Sequence, residues 1–294
     1  MFGYVGNYSY FCNRKNRHQI MAFLYIEPLY FSATGNSRRM VDAVAQGISE
    51  ASGCPVRPPH DITPFASRKD PISFSREALA VVGCPVYAGR VPNKIMPFFR
   101  DSLKGDNTPA VVVLTYGNRA YDDALKEMTQ LLTRNGFVVV GAITQPSQHT
   151  FSDTVATGRP NSEDLFQAHR FGSALASRLA EAEPRSCFEE CTGELVYYTP
   201  LTSSGTKANF LKAKPDTDRT LCNGCGECVG RCPMGSISAE EPWLVEGTCI
   251  KCHACIAHCP RKAKRFTDAD FLSHTAMIVQ HFLDRKEAEY YGEL

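Results

Sequence analysis

The sequence predicts two units in tandem. The first is an α/β unit with a parallel sheet covered on both faces, and the second is a small cysteine-rich unit that binds metal. Three observations carry this reading. Apolar strand-like runs alternate with helical patterns between residues 22 and 182, eight of the thirteen cysteines crowd into residues 222–259, and those eight form two copies of one spacing. A chain of 294 residues also matches about two domains, at ~150 residues each.

Apolar runs at residues 29–31, 78–82, 110–115 and 137–143 are rich in Val, Ile, Tyr or Phe, as strands buried on both sides are. Helical patterns fill the intervals at 37–52, 94–103, 121–135 and 162–182. In the third of these, Leu125, Met128, Leu131 and Leu132 recur at helical spacing, and Asn135-Gly136 supplies a stop. One further strand near 56–62 is interrupted by prolines. Strand–helix alternation calls for right-handed crossovers and therefore a parallel sheet.

The division along the chain follows. Residues 1–21 form an N-terminal extension, within which Met21 is a candidate start. Arg14, Lys15 and Arg17 precede an apolar run from Ile20 to Ile26, but that run stops at Glu27-Pro28 and feeds the first strand instead of a signal peptide. The α/β unit spans 22–185, a linker bearing Pro, Ser and Thr spans 186–213, and the metal unit spans 214–294. This last unit closes on a helix with Phe271, Thr275, Ile278 and Phe282 along one side, a stripe expected to pack on a neighbour.

Composition excludes several classes. At 43% hydrophobic and 21% charged, the chain has the material for a globular core. A net charge of +1, from 32 basic and 31 acidic residues, gives no electrostatic case for binding nucleic acid or an anionic membrane. No run approaches the ~18 to 20 uncharged apolar residues that a membrane span needs. Nor is the chain a secreted disulfide scaffold, which would be short and cysteine-dense throughout.

The cysteines carry the most specific signal. Cys222-Asn-Gly-Cys225-Gly-Glu-Cys228-Val-Gly-Arg-Cys232-Pro233 has the spacing C-x2-C-x2-C-x3-C-P, and Cys249-Ile-Lys-Cys252-His-Ala-Cys255-Ile-Ala-His-Cys259-Pro260 repeats it 27 residues on. Three cysteines at x2 intervals wrap one face of a [4Fe–4S] cube, and the fourth ligates the other cluster. Cluster one takes Cys222, Cys225, Cys228 and Cys259, and cluster two takes Cys249, Cys252, Cys255 and Cys232. Zinc sites favour two separated C-x2-C knuckles over such a triplet. With the ligand count complete, His253 and His258 are expected at the surface or beside the ligands. Cys187 and Cys191 lack partners for a third site, and Cys84 reads as a small buried hydrophobe.

Three loops at the carboxyl ends of strands form a second candidate site. Ser32-Ala-Thr-Gly-Asn-Ser37 leads at once into a helix, so backbone N–H groups at Gly35 and Asn36 and the hydroxyls of Ser32, Thr34 and Ser37 can cradle a phosphate. Taken alone, the loop is equally an ordinary helix cap. It lacks both the Gly-Lys-Ser/Thr ending of a nucleoside-triphosphatase loop and the G-x-G-x-x-G of a dinucleotide site. The segments Pro85-Val86-Tyr87-Ala88-Gly89-Arg90 and Thr115-Tyr116-Gly117-Asn118-Arg119-Ala120-Tyr121 lie on the same sheet edge, where open α/β sheets bind ligands. Their glycines and tyrosines can form a slot for a flat ring, with Tyr87, Tyr116 or Tyr121 stacking on it, or can simply pack the loops.

Here a resemblance enters. The 32–37 loop resembles the flavodoxin phosphate signature T/S-x-T-G-N-T/S, the 85–90 and 116–119 segments are similar to the two isoalloxazine loops of bacterial flavodoxin–ferredoxin fusion proteins, and the cysteine repeat is similar to that of two-cluster ferredoxins. Over residues 22–265 it implies a flavodoxin-like doubly wound sheet, ordered 2-1-3-4-5, joined to a small α+β ferredoxin unit. It also implies FMN as the ligand of the three loops. One departure is Lys264, which stands where the first repeat has Ile237 and ferredoxins usually carry an apolar residue; the exchange is expected to expose a little of the second cluster's edge.

These features favour an electron-transfer iron–sulfur flavoprotein that moves electrons between two [4Fe–4S] clusters and FMN and on to a redox protein. No general acid or base stands out. The alternative is a flavin-dependent oxidoreductase that takes electrons through its ferredoxin unit and reduces a small molecule, with Arg90, Arg119 and Tyr121 orienting it. A third reading, a redox sensor, needs only one cluster. Oxygen-sensitive clusters point to an anaerobic, cytoplasmic setting.

Overall fold

A computed structural model describes residues 22–188 and 194–292. The expected extension at 1–21 and Cys191 lie outside the described residues. The α/β unit contains β1 (Tyr25–Tyr30), α1 (Asn36–Ser52), β2 (His60–Asp61), β3 (Ala78–Pro85), β4 (Thr108–Tyr116), α2 (Ala124–Arg134), β5 (Phe137–Pro146) and α3 (Ser162–Glu181). The cysteine-rich unit contains β6 (Asp216–Thr217), α4 (Glu227–Arg231), α5 (Ala254–Ala257), β7 (Lys264–Arg265) and α6 (Ala269–His281), and the chain ends in β8 (Glu289–Tyr291).

The main sheet runs β8-β5-β4-β3-β1-β2, parallel throughout except for β8. Its parallel part therefore has the 2-1-3-4-5 order of a flavodoxin-like fold, with the crossover point between β1 and β3. Every residue of β4, and all of β3 but its last, is buried. Side chains alternate between the two faces, so each strand feeds two cores. One core holds Leu29, Val82, Val112, Phe99 and Leu132, and the other holds Ile26, Val81, Val113, Val44 and Phe171 beneath α1 and α3. A reciprocal cap starts α3: Asp164 N–H donates to Asn161 Oδ1 at 3.0 Å, and Asn161 N–H donates to Asp164 Oδ2 at 2.8 Å.

Three expected elements differ. The helix expected at 94–103 shrinks to a short π-helical stretch, Phe98–Ser102, because Pro97 interrupts it and Leu103 already begins a strand paired with Ile72. The strand expected near 56–62 reduces to His60–Asp61 plus one bridge from Ile26 to Val56, since Pro58 and Pro59 have no N–H to give. On α6 the buried face is Phe271, His274, Met277 and Ile278, so Thr275 and Phe282 are not its centre.

The two units share one interior. Cys252 and Ala254 belong to the same buried cluster as β3 and β4, and Met234 and Ile250 pack against it. Met277 and Ile278 of α6 close over Val155 of the α/β unit and over Tyr198 and Leu201 of the connector. β8 then leaves the cysteine-rich unit and pairs antiparallel with β5, Glu289 opposite Thr144 and Tyr291 opposite Ala142. Residues 289–291, expected within the metal unit at 214–294, thus add an edge strand to the sheet of the α/β unit.

A buried ion pair anchors the loop after β3. Arg90 donates from Nε to Glu127 Oε2 at 2.9 Å and from Nη2 to Oε1, and Val91 N–H donates to Oε2 at 2.8 Å, with both side chains under a tenth exposed. Removing one partner of such a pair leaves an uncompensated buried charge. Glu127→Ala is expected to lower stability by about 3 kcal/mol or more, read from the urea midpoint followed by circular dichroism. An unchanged midpoint would show that the pair is not what holds this loop.

Candidate functional site

A cavity of about 210 Å³ lies at the carboxyl edge of the sheet and brings the three predicted loops together. Ser32, Thr34, Asn36 and Ser37 line it from the first loop, residues 85–89 from the second, and Thr115, Tyr116, Gly117 and Arg119 from the third. Its remaining walls come from Ser147 to Phe151 after β5, from the connector through Tyr198, Pro200 and Phe210, and from the cysteine-rich unit through Ile250, Lys251, His274 and Ile278.

The first loop is built to receive an anion. Gly35 takes a left-handed conformation, φ 91°, and starts α1 without a side-chain cap. Ser32 Oγ accepts from Arg38 N–H at 3.0 Å, and the Ser37 and Thr115 hydroxyls bond each other at 2.7 Å. Among the described hydrogen bonds, the backbone N–H groups of Thr34, Gly35, Asn36 and Ser37 have no partner. Unpaired donors at a helix N-terminus are the usual receptor of a phosphate, so this cradle fits the phosphate of FMN.

The second loop is a tight turn closed by mutual bonds between Tyr87 and Arg90, with Ala88 at φ 50° and Gly89 at φ 76°. The turn leaves the Ala88 and Gly89 N–H groups without a partner among the described hydrogen bonds, as the polar edge of a flat heterocycle requires. In the third loop Tyr116 is buried, and its ring stands edge-on to Tyr121 at 5.5 Å. Burial raises the phenols of both Tyr87 and Tyr116, the latter to about 12.

Not every expected residue faces the cavity. Asn118, at φ 62°, is turned so that Nδ2 donates to the carbonyls of Phe282 and Asp284, at 2.8 and 2.9 Å. The Tyr121 hydroxyl bonds Glu289 at 2.7 Å and Tyr291 at 2.6 Å. These two residues therefore support the loops and are not part of the cavity lining, and Gly35, also absent from the lining, offers the first loop only its backbone N–H. Arg90 is committed to Glu127, which removes it as a ligand for a small molecule. Arg119 does line the cavity, paired with Asp122 and lying 3.7 Å from the ring centre of Tyr198.

The sequence reading missed the loop after β5. His149 lies against Gly117, accepts at Nδ1 from Phe151 N–H at 3.1 Å, and therefore carries its proton on Nε2. Burial drives its pKa down to about 3, with His274 and His253 adding to the effect, so the ring is neutral at pH 7. The one available signal was position, since the loop leaves the carboxyl end of a parallel strand. His274, Phe210 and Tyr198 gave no sequence signal, because they reach the cavity only when the connector and α6 fold back over it.

The eight cysteines line two further cavities. Cys222, Cys225, Cys228 and Cys259 line one, and Cys232, Cys249, Cys252 and Cys255 line the other. These are the two crossed sets expected from the spacing. Backbone N–H groups point at sulfur at equivalent places, Ser236 to Cys232 at 3.4 Å and Ala263 to Cys259 at 3.3 Å. His258 is exposed, whereas His253 stacks on Phe266 at 5.1 Å and burial lowers its pKa to about 4. Lys264, expected to leave an edge of the second set open, is itself buried, 4% exposed, and lines the cavity of the Cys222 set instead. Cys84 is fully buried, as expected, and burial pushes its thiol well up.

Gly117 has no room for a side chain, because a Cβ there would sit 2.3 Å from His149 Cδ2. Gly117→Ala is expected to cost about 1–3 kcal/mol in urea unfolding, as overpacking does, and His149→Ala in the same chain should restore most of it. Equal losses in the single and double variants would refute the contact.

Comparison with known proteins bears on each unit separately. Residues 214–260 match the model of the 4Fe-4S dicluster domain family. A probable ferredoxin of Thermoplasma acidophilum is 51% identical over 43 residues, which is 15% of this chain and 53% of that protein, so the chain spans about half the length of the curated relative it matches. Among solved structures, a flavodoxin from the Archaea is 17% identical and covers 53% of this chain and 98% of its own, at a TM-score of 0.34. The two-electron reduced flavodoxin of Megasphaera elsdenii is 19% identical and covers 52% and 98%, at 0.35. The strand order itself carries the fold assignment of the first unit. A parallel sheet in flavodoxin-like strand order thus precedes a segment, residues 214–260, that matches the 4Fe-4S dicluster domain family, an arrangement that fits a flavodoxin–ferredoxin fusion.

Proposed function

We propose that this chain transfers electrons between two [4Fe–4S] clusters and FMN held in the sheet-edge cavity, and exchanges them with a redox partner. FMN takes up one or two electrons and each cluster one, so a chain holding all three links one-electron to two-electron traffic. The observation that carries the reading is Ile250. Lying in the Cys249–Cys252 loop, next to Cys249, it lines both the cavity of the Cys232 set and the sheet-edge cavity.

This adjacency orders the sites. The Cys232 set is the inner one, with Cys252 buried against the α/β core. The Cys222 set is the outer one, with Cys225 exposed where a partner protein can approach. The unpaired N–H groups of 34–37 hold the phosphate, those of Ala88 and Gly89 meet the ring edge, and Tyr87 and Tyr116 flank the ring. Such a protein suits a reducing, cytoplasmic setting. Among the described residues no helix is long and apolar enough to cross a membrane.

One observation favours the second reading, reduction of a small molecule. The cavity extends past the three loops to Phe151, Phe210 and His274, a wall that holding the flavin does not require. Turnover of a defined small acceptor, lost when Phe210 is replaced by a bulkier Trp, would select that reading.

Anaerobically purified protein is expected to hold about one FMN and about eight iron atoms per chain. Full iron with no flavin, even after incubation with FMN, would overturn the flavin half. For the order of sites, Cys252→Ala and Cys225→Ala should each lose about four iron atoms. After photoreduction of the flavin, freeze-quenched electron paramagnetic resonance should find the inner cluster of Cys225→Ala reduced as fast as in the unaltered protein. The outer cluster of Cys252→Ala should lag at least about tenfold, and an undiminished rate there would reverse the proposed order.

A further inference from the structure

The two cysteine repeats differ at one buried position. Ile237 in the first repeat and Lys264 in the second are related by the same 27-residue offset as the cysteines. Ile237 is 6% exposed and lines the cavity of the inner, Cys232 set. Lys264 is 4% exposed and lines that of the outer, Cys222 set. One cluster cavity thus has an apolar wall where the other has a cation.

Lys264 is held in place but not neutralised. β7 pairs with β6 so that Lys264 stands opposite Thr217, and Nζ donates to Thr217 Oγ1 at 2.8 Å. The Thr217 hydroxyl in turn donates to the carbonyl of Trp243 at 3.0 Å, which fixes its lone pairs towards the lysine. Among the described residues no carboxylate lies within ion-pair distance of Nζ. Burying an ammonium is costly unless a counter-charge compensates it, and one neutral hydroxyl is not a counter-charge. Around it stand sulfurs. Cys222, Cys225, Cys228 and Cys259 line the same cavity as Lys264.

We infer that Lys264 sets the redox order of the two clusters, its buried charge favouring the reduced state of the outer cluster over that of the inner one. The inference rests on the two-cluster reading above. A cube with four thiolates is an anion whose charge grows by one on reduction, with no bond made or broken. A fixed cation in a low-dielectric wall therefore favours the reduced form, and most strongly for the cluster whose cavity it lines. An electron resting in the pair then occupies the outer cluster, next to exposed Cys225, and crosses the inner cluster as a higher step on its way to the flavin site.

The test is a redox titration of the full protein, followed by electron paramagnetic resonance, with iron counted in the same samples. The unaltered protein should show two one-electron cluster steps. Lys264→Met should lower the upper step by at least tenfold in the reduced-to-oxidised ratio at fixed poise, about 59 mV for one electron, and shift the lower step less. Lys264→Arg, which keeps the charge, should stay near the starting values. If Met does not assemble both clusters, Lys264→Gln carries the same comparison. Assembly in Arg but in neither neutral variant supports the charge requirement, and failure in all three assigns Lys264 a role in shape and overturns the inference. Unshifted steps in a neutral variant with about eight iron atoms also overturn it, while fewer than about eight in the unaltered protein would instead sink the two-cluster reading.

Discussion

The contact on which the rest of the molecule depends is the seating of the Cys249–Cys255 loop against the carboxyl edge of the sheet. A two-cluster unit of this size has little apolar material of its own, since its interior is largely inorganic when loaded. Here Cys252 and Ala254 are absorbed into the core that β3 and β4 create, with Ile250 and Met234 packed against it. Because this loop supplies three of the four inner cysteines, burying it fixes the inner set beside the sheet-edge cavity. Separation of the units would expose apolar surface on both, so the short path between the sites is built into the stability of the chain.

The chain that follows the ferredoxin segment reinforces this seating. α6 lays Met277 and Ile278 over Val155, and β8 closes onto β5. Between these two elements the carbonyls of Phe282 and Asp284 receive the amide of Asn118, and the Lys286 ammonium reaches the carbonyl of Arg119. The third cavity loop is therefore held from behind by the C-terminal segment. Its conformation is set before any ligand arrives, which lowers the ordering cost of binding.

Much of this was legible in the sequence. The parallel sheet followed from buried β-branched runs at strands such as 110–115, and the cysteine sets followed from spacing alone, because each fourth cysteine is fixed by chain geometry. What stayed hidden depends on contacts distant in sequence. Asn118 and Tyr121 carry the right chemistry for a binding loop, and only the return of residues 282–291 shows that they face away. His149 sits in a segment without a motif, and its closeness to Gly117 arises from adjacent strands, not from local pattern. The helix expected after β3 is shortened for a local reason, Pro97 at one end and the strand that begins at Leu103 at the other.

The two repeats diverge at the positions where the backbone takes one unusual conformation. Positive φ recurs at equivalent positions, at Gly224, Gly226 and Gly235 in the first copy and at Lys251, His253 and Lys262 in the second. Glycine adopts that conformation freely, whereas other residues strain by about 1–2 kcal/mol each. Two of the three strained residues belong to the inner copy's contact with the α/β unit. Lys251 lines the sheet-edge cavity and donates to the carbonyl of Cys249 at 3.1 Å, while His253 stacks between Phe266 and Phe151. Glycine at 253 would remove the strain and also the ring that meets Phe151 of the α/β unit, and glycine at 251 would remove the ammonium that holds the carbonyls of Leu211 and Cys249. The first copy touches the α/β unit as well, and there glycine is itself the fitting residue: Gly235 lies against Phe65, where a Cβ would come within 3.2 Å of the ring, so each copy is matched at these positions to the surface it meets.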